Sequence, residues 1–121
     1  MKHLKIKIDF ISQSKQRYDT VGDYFFKKGI LHFRITKTGN QVYDRILLMH
    51  EMIEQFLTQF KGVTDKEVDE FDFDFKGKGE PGDDPKCPYR NEHSIATAVE
   101  RIICGHLGIC WKTYDDYVGK L

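Results

Sequence analysis

NQVYDRILLMHEMIEQFLTQFKG, residues 40–62, is the stretch from which the rest of the chain is read. Val42, Ile46, Met49, Ile53, Phe56 and Phe60 recur at spacings of three and four, which predicts an amphipathic helix over 41–61. Asn40 is a suitable cap, because its side-chain oxygen can accept from the first free amides of the helix. Lys61-Gly62 supplies the stop signal.

The same helix carries His50-Glu51-Met52-Ile53-Glu54. Side chains four apart share a helix face, so His50 and Glu54 can offer one cation a nitrogen and an oxygen. At ~100° per residue, these two fall roughly 80–120° from the centre of the apolar stripe, at the edge of the expected buried surface. Glu51 sits about 100° further round than His50, within reach of a metal-bound water. The pattern is HExxH with its second His replaced by Glu. His50 and Glu54 are therefore expected as metal ligands and Glu51 as catalytic base. Zn²⁺ is the expected ion, with Mn²⁺ or Fe²⁺ admitted by the harder carboxylate ligand. The competing expectation is a set of hydrogen-bonded His–Glu pairs at a helix–helix contact, with no metal.

Upstream, LKIKIDFI (4–11) alternates with period two and predicts a half-buried strand, with Leu4, Ile6, Ile8 and Phe10 on the inner face. Two β-rich runs within 24–37 flank Lys27-Lys28-Gly29, as in a hairpin. Downstream, Thr64 with Glu67 makes a capping box before a short helix, and 76–88 is a loop by its Gly and Pro content. A second helix is expected over 91–107, capped by Asn91, with Ile95, Val99, Ile102, Ile103 and His106 or Leu107 inward. Trp111, Tyr114 and Tyr117 follow as an aromatic last turn. The expected fold is α+β, a small N-terminal antiparallel sheet of about three strands packed on two main helices. One domain spans 1–121, divided into a sheet (1–38) and a helical metal-site region (40–121).

The second helix must supply the third ligand. His93 is the candidate, with Glu100 either replacing it or hydrogen-bonding a ligand from behind. Asp69, in an acidic run, is a further candidate to orient a ligand His.

The 121 residues carry 19 basic and 19 acidic side chains, unevenly placed. Residues 1–40 hold nine Lys/Arg against three Asp, and residues 64–84 hold nine Asp/Glu against three Lys, so the two regions are expected to face each other or each to form an ordinary solvated surface. No dense Lys/Arg stripe suits nucleic acid. Three cysteines without a CxxC pair point to a reducing compartment rather than a disulfide framework. No signal peptide and no run approaching ~20 apolar residues is visible, so no membrane association is expected.

The order HEMIE (50–54), VDEFD (68–72), PGDDPxCPYxxEH (81–93), AxxxE (96–100) and WxxY (111–114) resembles a group of small proteins from tailed phages and prophages. The resemblance covers about residues 45–114 and leaves the N-terminal sheet unaccounted for. It implies a zincin-like metal-binding domain with an HExxE helix, His50, Glu54 and His93 near a metal, and Glu51 as possible base. The motif chemistry and the resemblance together lead to the expectation of a phage metal-binding domain that could serve as a metal-dependent, peptidase-like hydrolase, or alternatively a non-enzymatic virion or assembly component with a structural metal or none. Its partners would be other phage proteins or a peptide substrate, and its place the host cytoplasm or the virion.

Overall fold

The computed structural model describes residues 3–121. In chain order these form β1 (Lys5–Ile11), β2 (Gly22–Lys27), β3 (Ile30–Thr36), α1 (Gln41–Lys61), α2 (Asp65–Asp74), α3 (Arg90–Leu107) and α4 (Trp111–Gly119). Short 3₁₀ turns lie at Gln13–Lys15 and Pro81–Asp83. The fold is α+β, one three-stranded sheet with four helices.

The β2–β3 hairpin turns through Lys28 and Gly29, both in the left-handed region at φ 52° and 77°. A two-residue loop of that kind matches the natural twist of a hairpin, with Gly bearing its conformation without strain. The strand order is β1-β3-β2, with β2 antiparallel and β1 parallel to β3. The sheet is thus mixed, not antiparallel as expected. The local hairpin occupies one edge of β3, and the irregular chain 12–21 carries β1's successor across to the far edge, which leaves β1 parallel to its neighbour.

Register explains a second departure. Ile6, Ile8 and Phe10 stand opposite Leu31, Phe33 and Ile35, so their side chains point to the helical side of the sheet. Leu31, Phe33 and Ile35 are buried there, but Leu4, Ile6, Ile8 and Phe10 are exposed. Helix α1 lies over β3 and β2 and leaves the edge strand uncovered.

Helix boundaries follow their caps. The Asn40 side chain accepts from Val42 N at 2.9 Å and Tyr43 N at 3.2 Å. Gly62 closes α1 at φ 96°, and the Thr64–Glu67 capping box opens α2. The expected Asn91 cap is not used. Helix α3 begins at Arg90 after Tyr89, which makes no side-chain cap. Tyr89 is buried and donates its hydroxyl to Asp72, so a tertiary anchor fixes this helix start.

Two apolar clusters hold the layers together. One joins Tyr24, Leu31, Phe33, Val68, Cys87 and Tyr89, the other Ile35, Ile46, Leu47, Cys104, Tyr114 and Val118. Both main helices are rotated from the expected orientation. The buried residues of α1 are Ile46, Leu47, His50, Glu54, Gln55 and Thr58, whereas Val42, Met49, Phe56 and Phe60 face outward. On α3, Glu92, His93, Ala96, Glu100 and Cys104 are buried, while Ile95, Ile102, His106 and Leu107 are exposed. The polar faces of the two helices find partners in each other, which offsets the loss of apolar burial.

One residue of the basic N-terminal region, Arg17, meets the acidic one. Arg17 donates to Asp23 at 2.7 and 2.9 Å and to Asp69 at 2.9 and 3.0 Å, while stacking 4.1 Å over Phe25. Among the described residues, no helix is long and apolar enough to cross a membrane.

Candidate metal centre

Helices α1 and α3 pack side by side and bring His50, Glu54 and His93 together, all three buried at 5–6% exposure. Glu54 Oε2 lies 3.0 Å from His50 Nε2 and 2.8 Å from His93 Nδ1. One ligand atom from each residue falls within 4.8 Å of the others. Two ligands of a tetrahedral ion, each about 2.1 Å from it, stand roughly 3.4 Å apart. The two Glu54–His separations therefore need to widen by only about 0.4–0.6 Å to take a small divalent cation.

The far side of each ligand is held as well. His50 Nδ1 lies in close contact with Glu100 Oε1, off the hydrogen-bonding direction, so this buried nitrogen has no hydrogen-bond partner. A small ring rotation would let it donate. Glu100 in turn accepts from Tyr114 at 2.7 Å. His93 Nε2 faces Glu80 at 3.1 Å and Asp83 at 3.4 Å. Glu54 Oε1 accepts from Tyr24 at 3.0 Å. Carboxylates behind both imidazoles, with the other ring nitrogens turned to a shared centre, match the way metal-ligating His is oriented in proteins.

Electrostatics bind the cluster tightly. Burial works to lower the His50 pKa, yet Glu100 and Glu54 raise it well above the ordinary value. Burial opposes the charge on His93 too, and Glu54 and Glu80 carry it up to about 10. Burial would raise Glu54, but hydrogen bonds from His50 and His93 hold it down at about 2.

Glu51 follows His50 on the same turn of α1 and lines the same cavity, of about 720 Å³, as the triad. The residue is half-buried as a whole, and its carboxyl is the withdrawn part. Burial pushes that carboxyl well above the usual range, and the Glu54 charge adds to the effect. A Cβ at Gly22 would stand 2.4–2.6 Å from Oε1, Cδ and Cγ of Glu51, so only glycine at the start of β2 leaves room for it. Gly82 does the same for His93, where a Cβ would come within 2.4 Å of the ring.

His50, Glu54 and His93 thus converge as expected from the sequence, and Glu100 sits behind His50 instead of replacing His93. Asp69 does not orient a ligand, because Arg17 claims both its oxygens. Asp72, one turn further along α2, is the residue that lines the cavity, accepting from Tyr18 at 2.8 Å and from Tyr89. Sequence reasoning missed Glu80, Asp83, Tyr24, Tyr114 and the two glycines. Pro81-Gly82-Asp83 before His93 was the available signal, since a rigid turn with a glycine suits close approach to a ring.

Known protein families, curated proteins and solved structures were compared with the chain, and none of them matches it.

Proposed function

We propose that this protein is a zincin-like metal-binding domain, with His50 Nε2, Glu54 Oε2 and His93 Nδ1 as ligands of one divalent cation, Zn²⁺ foremost. The observation that carries this reading is the convergence of those three atoms with a carboxylate behind each imidazole. A metal bound there would act as a Lewis acid that brings the pKa of water toward neutrality. Glu51, withdrawn beside the triad on the cavity wall, is placed to accept the proton. Glu100 and Glu80 would hold the two imidazoles in orientation, and Tyr24 would hold Glu54. The activity this serves is hydrolysis of a peptide or amide bond. Phage origin rests on the PGDDPxCPY stretch and the residues around it.

A second reading has its own support, because the triad already closes as ion pairs at 2.8 and 3.0 Å. The network would then join α1 to α3 in a non-enzymatic virion or assembly component. Elemental analysis and calorimetry separate the two. The first reading predicts near one equivalent of metal per chain, lost in His93→Ala and kept in Glu51→Gln, which abolishes hydrolysis alone. Protein that takes up no Zn²⁺ and melts identically with and without a chelator supports the second.

A further inference from the structure

We infer that the outer faces of α1 and α3 are the interface of a homodimer, a second copy of this chain being the partner. On α1, Val42, Met49, Met52, Phe56 and Phe60 are exposed, Phe56 at 62% and Phe60 at 85%. At ~100° per residue this arc is centred roughly 150° from the buried arc of His50, Glu54 and Thr58. On α3, Ile95 at 49% and Ile102 at 71% lie roughly 160° from the buried arc of His93 and Glu100 by the same geometry. Half-buried Ile53 and Val99 lie between the exposed and buried arcs of their helices and extend the apolar surface toward the seam.

Three features select a second copy as the occupant. The first is size. At about 150–250 Å² per fully exposed large apolar side chain, the exposed fractions leave roughly 600–1,000 Å². That exceeds the roughly 300–600 Å² of the largest patch on a typical monomer and matches the ~800 Å² each partner gives to a stable interface. The second is charge. The two arcs contain no Asp, Glu or Lys, and only Arg45 and His106 are ionisable, so the face has no charge pattern to match to an oppositely charged protein. An apolar face with so little charge is complementary to itself about a two-fold axis. The third is shape. Two neighbouring helices present ridges that pack against a second pair as in a four-helix bundle. The cavity lies on the inner side of the helices, so dimerisation leaves it open.

Sedimentation velocity and light scattering on the full chain from 1 to 200 µM test this. The expected result is a dimer, twice the 14.2 kDa chain mass. Phe56→Glu with Phe60→Glu is expected to raise the dimer Kd at least 100-fold and leave the far-ultraviolet circular dichroism unchanged, since neither side chain is packed inside the fold. Ile102→Glu alone is expected to weaken it at least tenfold. A monomer at 200 µM overturns the inference, whether or not it binds neutral or anionic phospholipid vesicles. A dimer indifferent to all three substitutions also overturns it, placing the interface elsewhere, for instance on the uncovered edge strand β1.

Discussion

Replacing Gly82 with alanine tests how closely the 81–83 turn and the metal centre are fitted. A Cβ there would stand 2.4 Å from Cγ, 2.5 Å from Nδ1 and 2.8 Å from Cδ2 of His93. Ordinary contact begins near 3.4 Å, so the ring must retreat by about 1 Å. Nδ1 is the ring atom that meets Glu54 Oε2 at 2.8 Å. Metal–ligand distances tolerate only about ±0.2 Å, so a shift of that size removes one of three ligands. The expected outcome is at least a 10–100-fold weaker Zn²⁺ affinity, about 1.4–2.8 kcal/mol. Gly82 has no positive φ, so no backbone strain confuses the result. Competition against a chromophoric chelator gives the Kd, and circular dichroism verifies the fold. Wild-type affinity in a folded Gly82→Ala protein refutes the claim that this turn and the His93 ring are held against each other.

Gly105→Ala is the matched control. Its Cβ would meet nothing within 4 Å on α3, so a gain of about 0.5–1 kcal/mol in urea unfolding is expected with metal affinity unchanged. Arg17→Ala should cost about 3 kcal/mol, because it leaves the buried Asp23 carboxylate unpaired and releases Asp69 on α2; a loss under about 1 kcal/mol contradicts that reading. Burial raises the Asp72 carboxyl to about 6, against the opposing hydrogen bonds from Tyr89 and Tyr18. A carboxyl whose pKa is higher folded than unfolded stabilises the fold below its unfolded value near 3.9 and loses that contribution as pH rises to about 6. The contribution is about 3 kcal/mol. Asp72→Asn should flatten the fall in stability between pH 4 and 7, measured by urea unfolding, and an undiminished slope assigns it to other groups.

Local signals were legible in the sequence wherever local physics decides. Asn40, Gly62 and the Thr64–Glu67 box mark helix ends because their bonds span only a few residues. The Lys28-Gly29 hairpin is local in the same sense. The helix-borne ligands were also legible, since i and i+4 on α1 fix His50 beside Glu54 whatever the rest of the chain does. Long-range choices were not. Which face of α1 turns inward depends on Glu100 and His93, 50 and 39 residues downstream of their partners His50 and Glu54, and hydrophobic periodicity alone placed it about a quarter-turn or more away. The parallel placement of β1 depends on which edge of β3 the hairpin leaves free. Glu80, Asp83 and Gly82 come from a loop whose path over the His93 ring no periodicity encodes.

The central claim is one cation held between α1 and α3, and anomalous scattering at the zinc edge from crystals grown with Zn²⁺ tests it most directly. The account predicts a single strong peak about 2.0–2.2 Å from His50 Nε2, Glu54 Oε2 and His93 Nδ1. A fully occupied peak elsewhere, or none at that position with the triad still closed as ion pairs, contradicts it.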